Sequence, residues 1–396
     1  MQTEPWRPDD HDEAMAAVER AFLSDLDPAA VEPMGMLDHE RSVLVRDGGR
    51  VVGTLAVLPQ RLAVPGAVLP ALGVSQVSVQ ATHRRQGLLR RMMAPMLSGA
   101  ADAGEPLAAL WASEPAIYGR FGFGLASRSL VLHPQRGDAL RSAPPVGGVR
   151  DVAAADARDE LAAVWDRSFP GRPGEHARHS AAWWDHVLHD PASRREGSSA
   201  LRAAVLDDGS GYALYSTRGG WDARGAAGEA RVREVVGPGA LRLWSYLLGL
   251  DLVARWAVSR AALDDPLLGA VADPRRLAAE VRDGLFVRLL RVDEALAARS
   301  YGTDVDVVLD VADDVLPGNA RRWRLAAGPD GATCTPTSDP ADLALGVEDL
   351  GAAYLGGTTL LSLAAAGRVV EHRACALAAA SRALRGDVEP LCSAVF

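Results

Sequence analysis

The stretch that decides the fold is VSVQATHRRQGLLR, residues 77–90. Val77 and Val79 alternate with polar neighbours as in a strand, a short turn carries Arg84 and Arg85, and a helix opens at Gly87. The first N–H groups of a helix have no intrahelical partner and carry a partial positive charge. Two arginines stand just ahead of them, and a glycine lets the backbone approach a ligand closely. The combination predicts an anion cradle suited to a pyrophosphate. It is not a P-loop, because Lys-Ser/Thr is missing, and it does not have the GxGxxG spacing.

Around this stretch the chain reads as a mixed α/β protein. A helix is predicted over 9–22, strands over 41–45, 50–58, 61–64 and 73–80, a helix over 87–101, and strands over 107–112 and 127–133. Pro95 falls inside the helix and predicts a kink. Residues 134–148, PQRGDALRSAPPVGG, read as a linker. A second block, 149–287, repeats helices and strands, with a helix over 239–249 between strands over 230–236 and 253–258. No arginine-rich turn precedes that helix. The third block, 288–396, has a helix over 292–300, a hairpin over 304–311 and 321–327, and further short helices.

The chain has 396 residues, 48% hydrophobic and 23% charged, with a formal net charge of −9. This length predicts two or three globular domains. All 42 basic residues are arginine. An acidic chain is a poor general binder of nucleic acid, which calls for a basic face; it suits a cationic small molecule better. Residues 62–83 lack Asp, Glu and Arg but are broken by Pro65, Gly66, Pro70 and Gly73, so no membrane span is expected. The scattered Cys334, Cys375 and Cys392 give no disulfide framework and predict a reducing, cytoplasmic compartment. His186 and His189 lack an HExxH context, and no metal site is expected. A GxSxG elbow is also absent.

The pattern V-x-V-x-x-x-x-R-R-x-G-L resembles the acetyl-CoA signature of the GNAT N-acetyltransferases. With Ala112-Ser113-Glu114 and the run 117–124, IYGRFGFG, it is similar more narrowly to the Eis (enhanced intracellular survival) acetyltransferases. Tyr212 to Tyr215, the run 285–293 (LFVRLLRVD) and the terminal Phe396 extend the likeness over the full length. The resemblance implies two tandem GNAT-like domains, 1–140 and 149–287, only the first binding acetyl-CoA. It also implies a sterol-carrier-protein-like domain over 288–396 and a homohexamer. Carried over by position, Val77, Ser78 and Val79 would contact the cofactor, Arg84, Arg85, Gln86, Gly87, Leu88, Leu89 and Arg90 would hold its pyrophosphate, and Ser113 and Glu114 would add a later contact. Tyr118 would be the general acid and the Phe396 carboxylate the general base. Ala81 stands where such motifs usually have proline, and Trp111 where a histidine can occur.

A tyrosine is protonated at neutral pH and can donate to a departing thiolate. An exposed α-carboxylate is a feeble base, and burial would strengthen it; Glu114 and Asp25 are reserve bases. The segment 23–40 carries Asp25, Asp27, Glu32, Asp38 and Glu40 with no arginine. By resemblance it borders the acceptor mouth with Trp111, where acidic walls would draw an aminoglycoside- or polyamine-like amine. All three cysteines lie beyond residue 330, which favours direct transfer over an acyl-enzyme. Transfer to protein lysines or N-termini, and a non-catalytic CoA- or lipid-binding module, are the alternatives.

Overall fold

The computed structural model describes residues 1–25, 27 and 35–396. It has three sheets, of seven, seven and five strands, and a small two-stranded ribbon. In the first sheet Gln2–Pro5, Val43–Asp47, Arg50–Val64, Ala67–Val79 and Leu107–Trp111 follow one another in space. The two separate strands expected over 50–58 and 61–64 are one, Arg50–Val64. From Gly53 to Val64 it pairs with Ala67–Val79 across a Pro65-Gly66 turn. Pro59 does not interrupt it: pairing with Val43–Asp47 stops at Leu55, so the missing N–H weakens no inner ladder on that side. Further along, the same edge is covered by the second domain, where Ala63 N–H donates to Glu175 O (2.7 Å) and Ala177 N–H to Arg61 O (2.9 Å).

The boundaries expected from composition do not follow the sheets. The strand Arg128–Leu132 leaves the first unit and pairs with Val253–Ala261 and Glu280–Asp283 in the second sheet. In return, Leu285–Leu289 enters the first sheet between Leu107–Trp111 and Gly124–Leu125. The two segments cross at one point. Ala126 and Ser127 N–H groups both donate to Leu285 O, at 2.9 and 3.1 Å. Leu285 N–H donates to the Ser127 hydroxyl (2.9 Å). Gly284 is needed there, because a Cβ would meet Ser127 Oγ at 2.8 Å. The expected linker is likewise no free tether: Arg141 N–H donates to Ala270 O (2.7 Å) and Ala272 N–H to Ala139 O (2.9 Å), fastening it to the second unit.

The third sheet, from Val305–Ala312 to Val369–Glu371, carries the helices Val292–Ala298, Val347–Tyr354, Leu360–Ala365 and Ala376–Leu384. Its core is continuous with the first sheet: Leu285, Val287 and Leu289 share one apolar cluster with Val347, Leu350 and Tyr354. Arg288, fully buried in the exchanged strand, donates to both carboxylate oxygens of Asp313 at 2.9 and 2.8 Å and to Phe121 O. One guanidinium thus ties all three parts together.

Removing one partner of such a pair leaves an uncompensated buried charge. Arg288→Met is therefore expected to destabilise the protein by about 3–5 kcal/mol. The double change Arg288→Met with Asp313→Leu should recover more than half of that loss in urea unfolding.

Candidate acetyl-CoA site and the docked chain terminus

Strands Ala67–Val79 and Leu107–Trp111 run parallel and pair from Ala71 with Leu107 to Val74 with Leu110. Beyond Val74 they part. The cause lies on the other side of Ala67–Val79, where the register against Arg50–Val64 shifts between Thr54 and Ala56 and Gln76 takes a φ of 46°. Such a bulge bends its strand and frees backbone groups. Thr54 fixes it by donating its hydroxyl to Gln76 O (2.6 Å), while Ser78 Oγ lies 2.7 Å from Thr54 Oγ1.

The opening becomes a cleft of about 980 Å³. Val77, Ser78 and Val79 line one wall, and Arg84, Arg85, Gly87, Leu88, Leu89 and Arg90 close one end. Arg85 and Gly87 both have positive φ, 63° and 77°, in the turn that leads into the helix. A Cβ on Gly87 would meet nothing within 4 Å, so the space before the helix Leu88–Asp102 is open. Leu88, Leu89 and Arg90 N–H groups have no partner among the described residues. Gln86 is the exception to the expected set: it does not line the cleft, and its side-chain amide turns back to Thr82 O (3.4 Å). The helix stays continuous through Pro95, which faces solvent.

Ser113, Glu114 and Tyr118 complete the cleft. Tyr118 ends the turn Pro115–Ile117, is only 6% exposed, and meets Phe123 edge-on with ring centroids 6.3 Å apart. Its hydroxyl has no hydrogen bond among the described residues. Burial, and secondarily the charge of Glu114, push the phenol up to about 12. It is therefore neutral, with its proton available, throughout the physiological range. Several lining residues carried no signal in the sequence. Phe22 and Leu23 arrive from the end of the helix His11–Ala21, and Asp314 and Val315 from the third domain, on the loop that Asp313 anchors to Arg288.

Trp111 and Phe396 do not line this cleft. They meet beside it, because the chain terminus is threaded between the first two domains. Three successive carbonyls are held by donors from three elements: Ser393 O by Arg260 Nε (2.7 Å), Ala394 O by Trp111 Nε1 (3.1 Å) and Val395 O by His186 Nε2 (2.7 Å). The Phe396 ring, 8% exposed, packs against His176 and Trp183. Behind the tail, Ser393 N–H donates to Glu175 (3.1 Å). Arg178 is completely buried between Glu234, which takes both its terminal nitrogens at 2.9 and 2.7 Å, and the Trp165 ring, 3.4 Å away.

Asp25 is exposed and outside the cleft lining, two residues beyond Leu23. Asp38 is spent locally, accepting the Glu40 N–H and the Arg41 N–H and Nε; it offers no open acidic wall. Glu40 is exposed. Glu32 lies outside the described residues. The His186–His189 spacing forms no ligand set with other described residues, but Glu175, His176 and Cys392 bring three ligating atoms within 4.8 Å of one another. The Arg178 guanidinium acts on both Glu175 and His176, which disfavours a cation there.

This geometry, a parallel pair split by a bulge above an open helix N-terminus, defines a GNAT acyltransferase, and that fold implies acetyl-CoA as donor. Residues 2–126 and 174–292 match acetyltransferase (GNAT) domain models, and 292–393 match a sterol carrier protein domain. An uncharacterized N-acetyltransferase of Streptomyces coelicolor is 43% identical over 98% of both chains. The N-acetyltransferase Eis of Mycobacterium bovis is 36% identical over 84% of both. The crystal structure of Eis1 from Mycobacterium abscessus superposes over 100% of both chains with a TM-score of 0.87 at 30% identity. The chain belongs to the Eis family of N-acetyltransferases. Among the described residues no helix is long and apolar enough to cross a membrane.

Gly87→Val adds side-chain bulk in the open space and strains a positive φ. It is expected to weaken acetyl-CoA binding about tenfold or more, roughly 1.4 kcal/mol, by calorimetric titration. Spectrophotometric titration of the wild type against Tyr118→Phe should show no ionisation assignable to Tyr118 below about pH 11.

Proposed function

We propose that this enzyme acetylates a primary amine of a polycationic small molecule, aminoglycoside- or polyamine-like, by direct transfer from acetyl-CoA. The observation that carries the mechanism is Tyr118: a buried, neutral phenol, without a hydrogen-bond partner among the described residues, in the wall of the cofactor cleft. The amine, once deprotonated, attacks the thioester carbonyl. A C–N bond forms, the C–S bond breaks, and Tyr118 donates its proton to the leaving thiolate. The tyrosine regains a proton as the new amide nitrogen loses one.

The Phe396 carboxylate is assigned the removal of the first proton from the ammonium. Its support is the docking of the tail, which fixes residues 393–395 through Arg260, Trp111 and His186 and buries the terminal ring. A frayed terminus would have no defined position for such work. Direct transfer is supported by the cysteines: none lines the cleft, and Cys392, fully buried, has its thiol held well above its usual range by that burial. The acceptor class rests on the overall acidity and on Asp25 and Asp27, exposed just beyond the cleft-lining Leu23.

Tyr118→Phe is expected to lower kcat about 100-fold while leaving the acetyl-CoA affinity within about twofold, as loss of general-acid catalysis requires. Free-CoA release with a polyamine and an aminoglycoside would be measured. Equal turnover removes Tyr118 from the mechanism. The wild-type rate should rise from pH 6 to about pH 9 as the amine deprotonates, with no descending limb from Tyr118 until its own range near about 12. Residues appended after Phe396 are expected to abolish turnover; full activity with such a tag would dismiss the carboxylate.

A further inference from the structure

The second domain has a cavity of its own, of about 920 Å³. It opens where the parallel strands Gly228–Val236 and Val253–Ala261 stop pairing, after Val232 and Val258. In the second sheet this is the place that the acetyl-CoA cleft occupies in the first. It offers no comparable pyrophosphate cradle. The turn before the helix Ala240–Leu248 is filled by its own chain: Gly239 N–H donates to Ser210 O (2.9 Å), and a Cβ on Gly237 would meet Ser210 O at 2.4 Å. Arg242, on the first turn of that helix, is paired with Asp208.

Most of the charged side chains that line the cavity already have hydrogen-bond or ion-pair partners, Arg167 through Gly209 O (2.9 Å). Glu234 is held by Arg178 and by the Tyr212 hydroxyl (2.8 Å). Glu175 accepts the Ser393 N–H and hydroxyl. Asp265 accepts the Leu267 N–H (2.9 Å) and the Trp244 indole N–H (3.1 Å). Arg172 pairs with Asp264.

Arg260 is different. Its Nε donates to Ser393 O, it forms no ion pair, and its two terminal nitrogens bond nothing among the described residues. Burial depresses its pKa from the usual arginine value, yet a guanidinium remains charged at neutral pH. Glu234 and Glu175 are near enough to act on this charge, but neither bonds its terminal nitrogens, and a planar fork is the geometry that accepts a carboxylate or phosphate through two parallel bonds. Phe169, Trp244 and Val258 give the wall an apolar and aromatic part, beside the polar Ser168, Asp208 and Ser210.

We propose that this cavity is a second ligand site, taking a small anionic amphiphile whose carboxylate or phosphate pairs with Arg260 and whose apolar body lies against Phe169 and Trp244. Because Arg260 also grips the tail at Ser393, an occupant touches the element that ends in Phe396. The site is independent of the proposed acetyl transfer, and its test involves no turnover.

Calorimetric titrations on the full chain, saturated with CoA so that the first cleft is filled, would use 3-phenylpropionate, phenyl phosphate and the neutral 3-phenylpropanamide. One of the two anions is expected to bind once per chain with a Kd below about 1 mM, at least about tenfold tighter than the amide. Whichever anion is preferred identifies the head group. Arg260→Gln should erase the preference for the anion over the amide, and Arg260→Lys should restore part of it; thermal melts check that both variants fold. Equal affinity for amide and anion, displacement of the anion by CoA, or no binding of either anion up to about 5 mM would each overturn the proposal. The wild-type comparison of anion with amide stands even if both variants fail to fold.

Discussion

The buried guanidinium of Arg288 is the constraint on which the rest of the molecule depends. It lies in a strand that left the second unit to join the first sheet, and its hydrogen bonds reach Asp313 in the third domain and Phe121 O in the turn after Tyr118. Desolvation works against the charge, and the bidentate carboxylate offsets it. Asp313 in turn accepts the N–H groups of Val315 and Leu316 (3.0 Å each), while Asn319 bonds the same carboxylate and Leu289 O and Leu290 O. The loop that brings Asp314 and Val315 to the cofactor cleft is therefore fixed from inside the core. A single interaction sets the wall behind the phenol and the attachment of the third domain.

The two GNAT units fill the same gap in different ways. Each splits a parallel strand pair and sets a helix behind the gap. In the first, Arg85 and Gly87 adopt positive φ and leave the helix N–H groups open. In the second, Gly237 and Gly239 make room for the Ser210 hairpin, which packs into the same place. The difference is local: only the first gap keeps the start of its helix open. The exchange of Arg128–Leu132 for Leu285–Leu289 makes the units mutually dependent, since neither sheet is complete without a strand from beyond its own segment.

The terminus is the second point where the domains converge. Arg260, Trp111 and His186 come from the second sheet, the first sheet and the helix Ala181–Val187, and they hold three consecutive carbonyls. Glu175, whose burial pushes it up to about 7, holds the Ser393 N–H from behind. A tail clasped by both GNAT domains keeps its position only while both are folded and docked, which couples the terminal carboxylate to the integrity of the whole chain.

The sequence by itself determined the local build of the candidate cleft. Residues 77–90 carry strand, turn and helix start in one contiguous run, so local backbone preferences place the strand edge and the helix N–H groups together, and Ser113, Glu114 and Tyr118 follow within one short segment. It failed where a side chain's role depends on distant partners. Gln86 matches the motif but turns back to Thr82, and Asp38 looks like part of an acidic wall until Arg41 claims it. Tertiary structure alone decided the strand exchange, because Ser127–His133 reads as an ordinary strand, Leu285–Leu289 straddles the expected boundary at 287/288, and nothing local says which sheet either joins. It also decided the meeting of Arg288 with Asp313, the arrival of Asp314 at the cleft, and the unpaired guanidinium of Arg260. A pairing or a missing partner is a property of two segments brought together, and no run of residues along the chain encodes it.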